Sequence, residues 1–368
     1  MASIPSFLRS AWQWLASRRS QVRFAIRVAV AGALSFALAS ALGLAQGYWA
    51  VFTSVIVTQA SVGGSLKATV DRLTGTLGGA AVGAAVALLV AHQAPEVRML
   101  GLALALLPVA FIAAIDPRFR VAPVTTVIVL ISPTGELVNP LLFTVDRVGE
   151  IALGSAVALA VSLLVLPARA HNVLADSADR LLNLYADYLA ILVGALSGPV
   201  DAAAQRRLQV GTRRRLNAME AIVDEARRER SIRLTGEPDP APILRSSQRL
   251  RADLIMLARA GVTPLPAALA GRLDPLLAAI TDAGCARLRA VGAALATRSA
   301  PPTSDGLDAA LRAWRAEIAA LRAERALSDL SGEDLGRVFA LGFAFDQFHE
   351  NLGDLADRAS EVAGARRE

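Results

Sequence analysis

The sequence predicts an all-α membrane protein: six transmembrane or partly spanning helices in two inverted three-helix repeats, then a cytoplasmic antiparallel helical bundle. Three observations carry this reading. The 368-residue chain is 54% hydrophobic, with a mean hydropathy of +0.46. Its charges are segregated: residues 24–166 hold 13 of the 70 Asp, Glu, Lys and Arg residues, whereas 167–368 hold 53, an ordinary soluble density. A segment near residue 70 also recurs near residue 145. This pattern argues against a secreted disulfide scaffold, a disordered chain and a wholly soluble enzyme. The lone Cys285 allows no intramolecular disulfide and no cysteine metal site.

Residues 1–23 form an arm with Arg9, Arg18, Arg19 and Arg23 and no acid. Ile4, Leu8, Ala11 or Trp12, and Leu15 fall at helical spacing, which predicts an amphipathic helix on the membrane surface beside anionic head groups. A frayed helix packed on protein is the alternative. Residues 24–167 form the membrane domain, with spans expected near 25–45, 48–62, 73–92, 98–116, 120–133 and 148–167. The turn at Gln46–Gly47 divides the first two. At ~1.5 Å per residue the second and fifth are too short to cross ~30 Å of hydrocarbon, so they read as half-crossing or tilted segments. Lys67, Arg72, Arg118, Arg120 and Arg169 fall on the same side as the basic arm, which places both the N-terminus and the C-terminal domain in the cytoplasm.

The repeat compares 70–90 with 145–165: eleven of 21 positions are identical, beginning with Val-Asp-Arg at Val70–Arg72 and Val145–Arg147. Upstream, Thr53, Val55, Ile56 and Val57 match Thr125, Val127, Ile128 and Val129. The repeats, about 25–92 and 98–167, each contain three crossings. An odd number reverses the next unit, giving the inverted arrangement of many secondary transporters, with substrate bound between the halves. A duplication kept only as scaffold is the alternative. Gly75, Gly79 and Gly83 form a bare ridge for close helix packing, and Gly154 lies on a small-residue line in the partner segment.

From residue 168 onward the apolar pattern becomes periodic, with helices expected near 168–197, 201–230, 239–260, 264–298, 303–326 and 331–363. The sixth span is expected to continue into the first of these across Pro167. The basic run Arg213–Arg215 has Glu220, Asp224 and Glu225 nearby and reads as a solvated face. The soluble half is nearly neutral, which argues against nucleic acid as a partner. His92, His171 and His349 are too dispersed for a metal site, and no phosphate-cradling or nucleophile-elbow motif appears. No cofactor or metal is expected, nor an enzymatic activity.

A carboxylate crossing a membrane loses water and needs convergent donors. Arg27, Arg72 and Arg147 are the best-placed cations, with membrane anchoring as the bland reading of each. Tyr48 and Trp49 line an aromatic vestibule or anchor at the interface. Thr53, Thr58, Gln59, Thr125 and Thr126 offer hydroxyl or amide groups on the short segments. Asp71, Asp146 and Glu150 are the proton-coupling candidates; for Glu150 a helix-dipole role is equally open.

Tyr48-Trp49-Ala50, the run Thr53 to Ser61, and Arg72-Leu73-Thr74-Gly75-Thr76-Leu77-Gly78 resemble the fusaric acid resistance protein-like family, grouped with aromatic acid exporters. The likeness is strongest over about 20–170, with a weaker echo in Phe339 to Leu355 that includes Phe343, Asp346, Gln347, Asn351 and Leu352. It implies a bacterial inner-membrane efflux transporter for small organic, aromatic carboxylic acids, driven by protons. With one membrane block and one soluble block, it implies a half-size member that forms a homodimer, with membrane lipids and an accessory efflux subunit as further partners. A passive organic-anion channel and a noncatalytic membrane assembly or regulatory scaffold are the alternatives.

Overall fold

The computed structural model describes residues 19–90, 94–131, 140–167, 169–199, 201–231, 237–303, 305–328 and 330–364. The expected surface arm falls outside these residues up to position 18, as does His92. The chain divides into two compact units, one ending at Arg169 and one beginning at Ala170.

The first unit contains α1 (Arg19–Ala41), α2 (Tyr48–Val57), α3 (Val62–Val90), α4 (Pro95–Ile115), α5 (Ala122–Ile131) and α6 (Pro140–Leu164). Long, short and long helices thus occur twice, with 23, 10 and 29 residues and then 21, 10 and 25. Ten residues rise only ~15 Å, half a bilayer core. Five described helices are long and apolar enough to cross a membrane: Gln21–Ala41, Val62–Val90, Pro95–Ile115, Leu141–Leu164 and Ala170–Ser197.

Local chemistry sets the ends. Helix α1 ends at Ala41; Gly43 just beyond it takes a φ of 65°, which suits glycine, and Leu44 N–H donates back to the Ala39 carbonyl at 3.0 Å. The break between the first two segments therefore begins earlier than the expected Gln46–Gly47 turn. Ser61 Oγ accepts from Gly64 N–H at 2.9 Å and opens α3. Asp116 accepts from Arg118 N–H at 2.9 Å, forming the turn before α5. Pro123 is the second residue of α5, where its missing N–H costs no helical bond.

Helices α3 and α6 begin well before the expected positions 73 and 148, so both Val-Asp-Arg triplets lie inside helices rather than at their starts. Hydropathy falls at charged residues, but backbone hydrogen bonding continues through them. Conversely, α6 ends at Leu164 and the next helix starts at Ala170, with Leu166 at φ 46°. No continuous helix crosses Pro167, because proline lacks the N–H and disfavours helical geometry in the residue before it.

The unit is apolar outside and hydroxylic inside. Phe36, Phe52, Leu77, Leu89, Met99, Leu107 and Phe111 are exposed, while Ser35, Thr53, Ser54, Thr76, Thr125, Thr126, Ser155 and Ser162 are buried. A hydrocarbon solvent permits this arrangement and water does not. Glycines admit close backbone approach at two corresponding places. A Cβ on Gly79 would fall 2.2 Å from the Ala122 carbonyl oxygen, and one on Gly154 would fall 2.2 Å from that of Ala50. These pairs occupy matching positions of the two sequence repeats. Each short helix is thereby set against the long helix of the other half: α5 on α3, and α2 on α6. Gly75 and Gly83 adjoin Arg118 and Val129, extending the α3–α5 contact along both helices. At the other end of α3, Ser162 Oγ donates to Ser65 Oγ at 3.0 Å, joining the last turn of α6 to the first turn of α3.

The second unit is a helical bundle of α7 (Ala170–Ser197), α8 (Ala202–Ser231), α9 (Ala241–Ala260), α10 (Ala267–Thr297), α11 (Gly306–Ala323) and α12 (Gly332–Gly364). Although α7 is apolar enough to span, Leu181, Leu182, Tyr185, Tyr188, Leu189 and Leu192 are buried in this unit's own core. Gly284 and Gly292 let α10 approach Leu189 and Asp179 of α7 in antiparallel order. Tyr185 donates to the Ser247 carbonyl at 2.9 Å, and Trp314 meets Phe345 edge-on with centroids 5.7 Å apart. On α12, Phe339 and Phe343 are exposed, whereas Phe345 and Phe348 are buried. Between α9 and α12, buried Asn351 donates to Asp253 at 2.7 Å.

Two predictions follow from this packing. Gly79→Ala and Gly154→Ala should each lower the detergent melting temperature and the monodisperse yield, since a new methyl meets backbone that cannot rotate away. Gly149→Ala, whose Cβ has nothing within 4 Å, should be neutral or stabilising by up to ~1 kcal/mol through helix propensity. Equal behaviour of all three would remove the close-contact assignment. Burial raises the Asp253 pKa, partly opposed by Asn351 and Arg249. An acid so raised favours folding fully below its unfolded pKa, and this support disappears as pH rises through the folded value. Asp253→Asn, whose carbonyl still accepts from Asn351, should therefore raise the melting temperature at pH 8, with the gain vanishing toward pH 4. A pH-independent difference would exclude titration of this carboxyl as the cause.

Candidate functional site

At the start of α2, Tyr48, Trp49 and Phe52 form an aromatic cluster, with Tyr48–Trp49 centroids 5.4 Å apart and Trp49–Phe52 centroids 5.8 Å apart. The apposition of α2 and α6 through Gly154 brings Arg147 beside it. Arg147 Cζ lies 3.3 Å from the Trp49 ring centroid. In a dry setting such a stack is worth on the order of 2 kcal/mol. Arg147 is only 2% exposed, and its Nε, Nη1 and Nη2 have no hydrogen-bond partner among the described residues. Buried guanidinium donors are normally satisfied, because leaving them unpaired is costly.

Glu150 lies one turn further along α6. It is 3% exposed, and its Oε1 accepts from the Gln46 N–H at 3.0 Å. Glu150, Tyr48 and Arg72 are electrostatic neighbours of Arg147. Arg147, Glu150, Asp146, Phe143 and the turn Gly43–Gln46 line a pocket of about 220 Å³. Chemically this is a cation on an aromatic face, a carboxylate within one helical turn, and space for a small planar guest.

The remaining expected residues fall elsewhere. Arg27 is completely buried at the far end of α2, where Nη2 donates to the Ala60 carbonyl at 2.8 Å. Thr53 is buried midway along α2, and its Oγ1 has no partner among the described residues. Thr58 donates to the Ser54 carbonyl, and exposed Gln59 uses its side chain on Ile56. Thr125 donates to the Val121 carbonyl at 3.3 Å, while Thr126 donates to those of Ala122 and Gly79, each at 3.0 Å. These two threonines are thereby committed to helix packing. Arg72 is half-buried with an unpartnered Nε, and Asp71 pairs with Lys67 at 2.6 Å. Asp146 is exposed at the pocket rim. Among the described residues, no group of three or more His, Cys, Asp and Glu could hold a metal ion.

Sequence reading did not identify Gln46 or Phe143 as part of this site. The signal for Gln46 was its place in the only turn of a long apolar run. Phe143 lies one turn before Arg147, but nothing in the sequence marked the direction of that face.

No curated protein matches the chain at significant similarity. The fusaric acid resistance protein family matches residues 21–368, so the likeness extends beyond the motif-rich 20–170 region and through the second unit. With its spanning-length apolar helices and a match over nearly its whole length, the chain belongs to the fusaric acid resistance protein family, a membrane family of transport or efflux type.

Proposed function

We propose that the chain is an inner-membrane secondary efflux transporter for small, planar aromatic carboxylic acids, coupled to protons, and not an enzyme. The observation that carries this reading is Arg147: a buried cation stacked on Trp49, with three unpartnered nitrogens, lining a pocket of about 220 Å³. A carboxylate entering the pocket would gain charge-assisted hydrogen bonds from a guanidinium already desolvated, while an aromatic ring would meet Phe143 in the pocket wall. A guanidinium already taken out of water favours an anion once the pocket wall shifts to bring its nitrogens to the guest.

Proton coupling is assigned to Glu150. It shares the pocket with Arg147, so its ionisation and the bound anion compete for the same positive charge. A neutral Glu150 leaves Arg147 free for the guest; an ionised Glu150 draws the guanidinium away. Asp146 is a rim group, and the Lys67 partner of Asp71 makes that residue a poor candidate for direct exchange. The inverted-repeat reading is supported by the matching Gly79–Ala122 and Gly154–Ala50 contacts and by the antiparallel meeting of α3 and α6. The cytoplasmic placement of the second unit rests on the positive-inside bias.

Proteoliposome flux of benzoate and hydroxybenzoates, with and without an imposed proton gradient, tests the reading. Arg147→Ala should reduce benzoate flux at least ~10-fold, as expected for loss of a buried charged donor. Arg147→Lys should recover little, because an ammonium cannot reproduce the planar stack. Glu150→Gln should retain downhill flux but lose acceleration by the gradient, whereas Asp71→Asn should keep both. Wild-type benzoate flux by Arg147→Ala would overturn the site. Flux that follows the membrane potential and ignores the proton gradient would make the protein an anion channel.

A further inference from the structure

A second buried arginine occupies the opposite end of the same short helix. Arg27 on α1 is 0% exposed; its Nη2 is held by the Ala60 carbonyl, but Nε and Nη1 have no partner among the described residues. One bond to the α2–α3 connection would suffice to fix the loop, and an apolar residue would meet the surrounding packing at lower desolvation cost. Two spare donors on a buried cation require another explanation.

The surroundings supply one. Between Arg147 and Arg27 along α2 lies Thr53, fully buried with an unpartnered Oγ1. Ser35, two turns beyond Arg27 on α1, and Ser155, two turns beyond Arg147 on α6, are likewise buried with unpartnered hydroxyls. Trp49 Nε1 belongs to the same set. Small residues separate these groups: Ala31 and Ala39 on α1, Ala50 on α2, and Ala158 on α6 are all buried. The corresponding face, α4–α5–α3, differs at its first two helices. Among the described residues its unpartnered buried groups are Thr69, Thr76 and Arg72 Nε, all on α3. The buried positions of α4 are Gly101, Ala105 and Val109, with no arginine, and the hydroxyls of Thr125 and Thr126 on α5 are both hydrogen-bonded.

We propose that Arg27 is a second carboxylate-binding station, and that the anion passes along the α1–α2–α6 face between Arg147 and Arg27. The proposal rests on the organic-anion reading of Arg147 and goes beyond it by adding a site and a route. Ten residues of α2 span ~15 Å, so the stations are far enough apart for two small anions to be bound at once. Mutual repulsion of two bound anions would then assist release, as in multi-site permeation.

The experiment is equilibrium binding of radiolabelled benzoate to the purified full chain in nanodiscs, with stoichiometry determined per protomer. Two benzoates on the wild type, one on Arg27→Gln and one on Arg147→Gln support the two stations. One benzoate on the wild type, lost in Arg147→Gln and kept in Arg27→Gln, overturns the second station and leaves the first intact. No benzoate on the wild type overturns both the organic-anion reading and this extension. If Arg27→Gln aggregates, Arg27→Lys decides. Lysine can retain the charge and the bond to Ala60 but lacks the spare guanidinium donors, so affinity at one of two sites should fall roughly 10-fold. Unchanged affinity at both sites in Arg27→Lys would overturn the proposal.

Discussion

The first unit depends on two points where backbone meets backbone, Gly79 against Ala122 and Gly154 against Ala50. In hydrocarbon, burying apolar surface gives helices little reason to associate, so close packing and hydrogen bonding must do it. Side chains larger than hydrogen at either glycine would hold the short helices away. Helix α2 would then lose its seat on α6, and with it the geometry that stacks Arg147 on Trp49. The chemistry at the start of α2 is therefore a consequence of a missing methyl group about two turns further along α6. The same contact brings Glu150 within reach of Gln46, whose N–H precedes the first turn of α2 and has no partner within that helix.

Much of the fold was legible because it is written in long-range composition. Segregated charge divides the chain near residue 167, close to where the compact units separate. The helices of the second unit were readable from apolar periodicity. The starts of α3 and α6 were not. Lys67, Asp71 and Arg72 lower local hydropathy, yet these side chains pair with one another or lie partly outside the packed interior while the helix runs on. Hydropathy measures affinity for lipid, whereas helicity is decided by backbone bonding. The two boundaries differ wherever a helix carries a charge.

The site was legible as a set of residue types but not as a neighbourhood. Arginines, aromatics and hydroxyls on the short segments could be named, and a plain repeat suggested equivalent roles for Arg72 and Arg147 or for Thr53 and Thr125. Their partners differ, however. The position corresponding to Trp49 is Val121, which offers no aromatic face, and the position corresponding to Glu150 is Gly75, which adjoins the Arg118 carbonyl instead of receiving an N–H. A one-sequence reading sees that two segments share residues; it cannot see which unshared neighbours face them.

That divergence suggests a division of labour within the duplicated architecture. Both halves retain the glycine–alanine contact, because either loss would separate a short helix from its support. Among the described residues, only the α1–α2–α6 side has buried arginines at both ends of its short helix, while Thr125 and Thr126 spend their hydroxyls on carbonyls of α5, its preceding turn and α3. A polar route is expensive to hold in a membrane interior, since every unpartnered donor opposes folding. Buried arginines at both ends of α2 concentrate that cost around one short helix, while the other, α5, has its hydroxyls satisfied and serves as a tightly packed counterpart. On this view the pseudo-symmetry belongs to the scaffold, and function resides where the symmetry is broken.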